Sequence, residues 1–411
     1  MIAEAHKPVQ ILGAGLSGLS AAIVLARAGR EVHVYELRAD SGARFAGDFQ
    51  AIENWSRPVD FLDEMRSWGL DPGTFRTTPF RRMDLVLPSG EIVTAATPSI
   101  AFRLVSRGTA PGTLDQGLKR QALATGVHIH YNTRMERERC DVVATGPKTA
   151  TGLVCGELFH TSHPDHVTFQ LDDRLAPGAY TYMIVVDGVG LIATVLLRRQ
   201  KDAERFLNET LAWYHAHYPT LDRRPLHRMR GVGGFALNPR HVAGGRCYVG
   251  EAAGFQDGLW GFGIRYAITS GVLAARSLMG EVDYERAVQE TLRPFQAASL
   301  ANRWLLNRLG KWGFEALARL WIRSQRLGGD GLRFISRLYQ PSWVHSLIEK
   351  TVARSLLEKR PAEDGGLEMR PLIFAPAKPR DHWEPSVPAQ AIASQFAATQ
   401  ARRRAAASEE T

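Results

Sequence analysis

The stretch VQILGAGLSGLSAAIVLARAGREVHVYE, residues 9–36, decides the fold. VQIL reads as a short buried strand, and GAGLSG follows it as a Gly-rich turn. From Leu16 to Ala28, Leu19, Ala22, Ile23 and Ala26 recur at helical spacing, and Gly29 is a natural helix stop. EVHVYE then alternates polar and apolar residues as a second strand. Gly13, Gly15 and Gly18 form G-x-G-x-x-G within this strand–turn–helix–strand context. The first glycine permits the tight turn, the second admits a pyrophosphate to the backbone, and the third lets helix meet strand. N–H groups at the helix start, on Leu16 and Ser17, are then aimed at the anion with the helix dipole behind them. Glu36 ends the second strand, where an acid accepts hydrogen bonds from ribose hydroxyls and repels a 2′-phosphate, so NADP is excluded from this turn. The turn alone leaves NAD and FAD open.

Outward from this unit, the pattern predicts an α/β protein. A helix is expected near Val59–Trp68, a strand pair near Arg82–Val93, and a helix over Thr113–Thr125. VHIHY and DVVATG read as strands, as do CGELFHTS, HVTFQL, AYTYMIVV and GLIATVLL between 151 and 200. Helices are expected over 201–217 and 263–279, and continuously from Asp283 to Lys359. The expected architecture is a Rossmann-like nucleotide-binding domain (1–65, 100–150 and 225–285) with an inserted mixed β-sheet substrate domain (66–99 and 151–224). A helical C-terminal region (286–360) and a mobile Pro- and Ala-rich tail (361–411) complete it.

At 411 residues the chain is long enough to bury a large core. Its longest apolar run, MIVVDGVGLIATVLL from Met183, is broken by Asp187 and by glycines, so no membrane span is expected. MIAEAHKPVQ shows no signal-peptide pattern, and three cysteines (Cys140, Cys155, Cys247) are too few for a disulfide framework. A cytoplasmic protein is expected. His160, His163 and His166 have no ligand spacing, so no metal is expected.

The net charge of +9 is uneven: residues 301–360 hold twelve Lys/Arg against four Asp/Glu. The same stretch carries Trp304, Trp312, Trp321, Phe334, Tyr339 and Trp343. Basic helices with Trp and Leu on one face lie in membrane interfaces, which makes 301–345 a candidate for peripheral contact. The alternative is a helical layer packed on the nucleotide domain with its arginines solvated. No recognisable module supports nucleic-acid binding.

Two later segments bear on the cofactor. DVVATG (141–146) resembles the strand and turn that close the FAD site of two-domain flavoproteins. CYVGEAAGFQDGLWGFGIRYAITSGVLAA (247–275) resembles the segment in which an acid grips the ribitol and a Gly-rich turn opens a helix beside the flavin. There Gly250 and Glu251 stand at a strand end, and Gly261, Phe262 and Gly263 offer backbone N–H groups to phosphate or flavin oxygen. Together these motifs resemble the geranylgeranyl reductase family of FAD-dependent oxidoreductases, within the wider group of aromatic hydroxylases and flavin halogenases. The resemblance spans roughly residues 9–285. It implies bound FAD and hydride transfer from flavin N5 to a carbon–carbon double bond of an isoprenoid or other apolar lipid. It also implies flavin contacts at Arg107, in LVSRGTAPGTLDQGL, and at Arg44, in SGARF, and pocket walls at Tyr180 and Tyr182, in APGAYTY.

Three departures stand out. Glu251 replaces the usual Asp, Gly258 the usual Pro, and Met183-Ile184-Val185 the usual Phe-Pro ending. The W-x-W-x-I-P motif of the halogenases is missing, whereas a hydroxylase or a non-catalytic FAD-binding protein remains an alternative. With a single G-x-G-x-x-G, the electron donor is expected to be a visiting NAD(P)H or a protein such as ferredoxin. In RFAGDFQAIENWS (44–56), Asp48, Glu53 and Asn54 are candidates to orient substrate or supply a proton; capping and surface roles are the alternative.

Overall fold

The computed structural model describes residues 7–147, 151–236, 240–348, 357–361 and 367–371. A six-stranded sheet runs in the order Val242–Ala243, Arg246–Tyr248, Val142–Val143, Val9–Leu12, Val32–Tyr35, His128–His130. All its pairings are parallel except the first. Val9, Ile11, Val32, Val34, Val142 and Val143 are buried, as the mostly parallel arrangement requires. Helix Leu16–Arg27 follows the first strand and crosses helix Ile264–Leu278 closely. Gly271 makes that approach tolerable, because a Cβ there would sit 2.2 Å from the Ser17 carbonyl oxygen.

A seven-stranded sheet runs Arg224–Gly233, Gly152–His160, Val189–Leu196, Thr181–Val186, His166–Gln170, Arg82–Val86, Ile92–Ala96. The two-residue period of its strands divides its side chains between two destinations. Met183 and Val185 face helix Ala203–His217 and pack with Phe206, Leu207, Leu211 and Tyr214. Tyr182 and Ile184, one residue out of step, belong to a different core on the opposite face, with Trp321 and Tyr339 of the C-terminal helices. A third, three-stranded sheet runs in the order Ala46–Glu53, Phe102–Gly108, Thr78–Phe80.

The structure corrects the sequence reading in four places. Residues 46–53, expected as loop, form a strand whose burial runs in pairs through a register shift near Gly47, which hides its periodicity. Arg224–Gly233, for which no strand was expected, is an edge strand; its charged residues suit a position with one partner. Thr78–Phe80 pairs with Phe102–Gly108 rather than joining the large sheet. The helical stretch after Asp283 comprises Tyr284–Thr291, Arg293–Arg326, Gly331–Tyr339 and a short turn from 343, and gives way to paired strands at Leu357–Pro361 and Leu367–Pro371. Otherwise the expected tail lies outside the described residues. Gly310, with φ +59° and ψ −152°, breaks Arg293–Arg326 into two helical stretches.

Candidate active site

One cavity of about 1290 Å³ extends from the Gly-rich turn, past the three-stranded sheet, to the C-terminal helices. Its nucleotide end is shaped by backbone. Gly13 has φ +106°, and a Cβ there would lie 2.4 Å from the Ala144 carbonyl oxygen. A Cβ on Gly18 would lie 2.0 Å from the Gly13 carbonyl oxygen, whereas one on Gly15 would meet nothing within 4 Å. The turn is therefore compressed at its first and third glycines and open at its second. Gly15 caps helix Leu16–Arg27 without any side-chain bond, leaving the first N–H groups of Leu16 and Ser17 for an anion. Glu36 lines the same end; its two oxygens accept from the N–H groups of Ala14 and Arg38, at 2.9 Å each. An open cradle, uncapped helix N–H groups and a fixed acid fit the adenosine diphosphate half of a dinucleotide.

The middle of the cavity gathers Arg44, Arg107, Asp48 and Glu251. Arg44 Nη1 lies 3.3 Å from Glu251 Oε2, and both side chains stay partly open to the cavity. Arg107 donates through Nε and Nη2 to Asp115 at 2.8 and 2.9 Å, and through Nη1 to Gln50 at 2.7 Å. Its guanidinium stands 4.0 Å over the Phe45 ring. Arg107 thus reaches the cavity with much of its donor set committed, as a fixed positive wall. Gly250 does not line the cavity. With φ +57° it lies against Ser17, and its N–H donates to Ser270 Oγ, so it joins the turn to the helix layer behind. Gly261, Phe262 and Gly263 do line it; Gly263 caps helix Ile264–Leu278 without a side-chain bond.

The acids of the 44–56 stretch separate. Asp48 is buried on the cavity wall, its Oδ1 accepting from Ala46 N–H at 2.9 Å. Burial pushes its carboxyl above the ordinary range; the backbone N–H groups and Arg107 act against that push. Glu53 points elsewhere, and the expectation that it serves substrate is corrected. Arg265 Nε holds both its oxygens at 3.0 and 3.1 Å, Ser56 Oγ adds a third bond, and it is not a cavity-lining residue. Five residues apart on one strand, Asp48 and Glu53 fall on opposite faces, and a stretch read as loop carries no such parity. Asn54 caps helix Phe61–Ser67, accepting from Phe61 N–H and donating to Asp60.

The far end is apolar and aromatic. Tyr180 and Tyr182 both line it, with Phe169, Trp260, Phe314 and Trp321. The Tyr180 hydroxyl donates to the Trp260 carbonyl, and its ring lies 4.9 Å from that of Phe169. Leu305, Leu309 and Leu317 line the cavity and are also 43%, 49% and 38% exposed, so the C-terminal helices form an apolar rim at its mouth.

Sequence reading missed Asp257, Arg303, Trp55 and Tyr339, which all line this end. Burial pushes the Asp257 carboxyl up to about 6, opposed by the N–H groups of Trp260, Leu259 and Gly261. Burial also pulls the Arg303 guanidinium down to about 10, with Tyr180 and Asp257 acting the other way. Asp257 lies within the segment 247–275, whose resemblance to a flavin-binding turn could have drawn attention to it. Arg303, Trp55 and Tyr339 are brought there by long-range packing alone.

A domain model described as an NAD(P)-binding Rossmann-like domain matches residues 11–55. A geranylgeranyl bacteriochlorophyll reductase-like protein from Thermoplasma acidophilum superposes with a TM-score of 0.61 at 16% identity, over 76% of this chain and 91% of that one. Aklavinone-11 hydroxylase, solved with FAD and aklavinone, shares the fold with a TM-score of 0.51 at 17% identity, over 73% of this chain and 69% of that one. Hydroxysqualene dehydroxylase of Sinorhizobium fredii is 50% identical over 48 residues, which is 12% of this chain and 12% of that protein.

Elsewhere, the three cysteines are free and buried, Cys140 pushed up to about 11 and the other two to about 12. His166 contacts Asp84 at 3.2 Å. Among the described residues no His, Cys, Asp and Glu cluster is arranged for a metal, and no helix is long and apolar enough to cross a membrane.

Proposed function

We propose that this chain is an FAD-dependent oxidoreductase that reduces a carbon–carbon double bond of an apolar, isoprenoid-like substrate. The observation that carries the reading is the continuity of one cavity from the phosphate cradle to an aromatic chamber. Gly13, Gly15, Leu16, Ser17 and Glu36 would hold the adenosine diphosphate half. Glu251 would bond ribitol hydroxyls with Arg44 steadying it, and Phe262 and Gly263 would present N–H groups to the flavin, with Gly261 shaping the turn before them. When bound, the flavin supplies hydride to one alkene carbon. Asp48, a buried carboxyl kept protonated above its ordinary range, would supply the proton to the other. Tyr180 and Tyr182 wall off water on the sheet side. The names of the reductase-like structure and of the hydroxysqualene relative support an isoprenoid-like substrate. The donor that reloads the flavin is a visiting nicotinamide or a protein such as ferredoxin.

The exposed side of the C-terminal helices would meet an anionic bilayer and place the cavity mouth over it. Trp312, Leu327 and Trp343 are 72%, 79% and 78% exposed, in a stretch with eight excess positive charges.

The test is anaerobic photoreduction of the bound flavin followed by mixing with a prenyl lipid. Reoxidation under nitrogen, with a product heavier by two hydrogens, is the expected result. A product heavier by one oxygen, formed only in air, would replace the reductase reading with a hydroxylase. Flavin that stays reduced with prenyl lipid under nitrogen, and gives no product in air, would mark a non-catalytic FAD protein.

A further inference from the structure

The largely apolar far end of the cavity carries buried polar atoms that the protein leaves without partners. Asp257 Oδ1, Arg303 Nε, Trp55 Nε1 and Tyr339 OH are buried and make no hydrogen bond, and their residues are 5%, 3%, 8% and 6% exposed. All four residues line the cavity. A buried polar group without a partner loses its bonds to water and gains none in return, so four around one chamber mark a place where a ligand completes the bonding.

Asp257 opens the loop 257–260, and two neighbouring side chains bond to that loop's carbonyls. Asp257 Oδ2 accepts from Trp260 N–H and from Gly261 N–H at 3.1 Å, which leaves Oδ1 facing inward. Arg303 Nη1 donates to the Leu259 carbonyl at 3.3 Å, and Tyr180 OH donates to the Trp260 carbonyl. The Trp55 and Tyr339 rings meet edge-on at 5.8 Å. Among the described residues Arg303 has no carboxylate within ion-pair distance, yet Asp257 stands on the loop whose Leu259 carbonyl it bonds. A guanidinium and a carboxylate together carry no net charge. Their free atoms are a donor and an acceptor, with further donors on Trp55 and Tyr339.

We propose that this cluster is the recognition site for a neutral hydroxyl at the head of the apolar substrate. The hydroxyl oxygen accepts from Arg303 and its proton is given to Asp257 Oδ1. A hydroxyl is the smallest group that satisfies both a donor and an acceptor. A diphosphate would bring several negative charges to one arginine and press them against a carboxylate. The site rests on the proposed function for its apolar tail, and it adds that the substrate is an isoprenoid alcohol rather than its diphosphate.

The experiment measures binding to the FAD-loaded protein by quenching of tryptophan fluorescence. Three probes share one chain: geranylgeraniol, its methyl ether and geranylgeranyl diphosphate. The alcohol is expected to bind roughly ten-fold tighter than either of the others, the ether failing because it accepts but cannot donate. In Asp257→Asn the amide oxygen keeps the loop's backbone bonds and the inward acceptor is lost, so the alcohol–ether gap should close. Arg303→Met should weaken alcohol and ether together. Tightest binding of the diphosphate, or equal binding of alcohol and ether to the wild type, overturns the proposal. The wild-type order needs no variant, so it decides the matter even where either mutant misfolds. If the order holds while no probe reoxidises reduced flavin under nitrogen, the hydroxyl site stands and the alkene-reduction reading fails.

Discussion

At the nucleotide end of the cavity, Gly13, Gly15 and Gly18 lie within six residues, and the close neighbours of Gly13 and Gly18 are the turn's own backbone and Ala144–Thr145. At the far end, Trp260 comes from a loop, Phe169 and Tyr182 from the large sheet, and Phe314, Trp321 and Tyr339 from helices more than a hundred residues beyond those sheet strands. The first end works through backbone, whose demands on sequence are local and few. The second works through side chains from distant segments, and many combinations of apolar residues would fill it. A dinucleotide site therefore tolerates almost no substitution at set positions, while a substrate chamber tolerates many and changes specificity as it does so.

The largest effects should appear where the backbone does the binding, and two glycines should fail in different ways. Gly18→Ala places a methyl 2.0 Å from the Gly13 carbonyl oxygen, and should cost about 3 kcal/mol of stability, seen as a lowered Tm. Gly15 has φ −82°, which any residue adopts, and open space beyond it. Gly15→Val should keep the apoprotein's Tm and abolish FAD retention. Full flavin content in Gly15→Val would move the phosphate site elsewhere.

Asp48 and Glu53 sharpen the contrast between an acid facing the cavity and one facing the core. Asp48→Asn should slow alkene-driven flavin reoxidation about 100-fold in rapid mixing, with little change in FAD content. Burial raises the Asp48 carboxyl, so its protonated form survives above the ordinary carboxylate range and is lost as pH rises through the raised value. The wild-type rate should fall with rising pH across that interval, and the Asn variant should not follow it. Glu53→Gln removes a charge from a buried pair with Arg265. It should cost about 2 kcal/mol in Tm measurements and leave the rate per bound flavin unchanged. The reverse pattern would restore Glu53 as the proton source.

The same contrast explains what could be read from the chain alone. The βαβ unit was legible because strand period, helix period and glycine spacing agree over residues 9–36. Tyr180 and Tyr182 were legible through a resemblance, and the two-residue period puts both on the cavity side. Glu53 was misread because residues 44–56 read as loop; once Ala46–Glu53 is a strand, the odd separation of Asp48 and Glu53 sends them to opposite faces. Arg303 was invisible for a different cause: on a helix rich in arginine, nothing local tells its buried guanidinium from those exposed at Arg308, Arg319, Arg323 and Arg326.

A smaller effect is expected at Glu251, which sits between the two ends. Glu251→Gln preserves size and weakens a charge-assisted bond to a ribitol hydroxyl, worth about 1.5–3 kcal/mol. The Kd for FAD, from titration of the apoprotein, should rise roughly ten-fold. The change also frees Arg44 from its 3.3 Å contact, so an unchanged Kd would mean that Arg44 had taken over the contact or that the ribitol lies elsewhere.

The smallest effect belongs to the outermost surface, where the cavity mouth would meet lipid. Trp312 stands beside Gly313 and Phe314, which line the cavity, and its own ring is turned largely to solvent. Trp343 is as exposed on the short helix that follows Tyr339. Neither indole contributes much to the core, so replacing either by Ser should leave Tm and FAD content where they were. Each should weaken binding to vesicles containing anionic lipid by roughly five-fold, on the order of 1 kcal/mol of lost interfacial burial. The loss should persist at high salt, because it removes apolar contact, whereas the arginine contribution should be screened away. Vesicle binding untouched by both substitutions would leave these rings as simple surface residues. It would also remove the membrane from the account of how an apolar substrate enters.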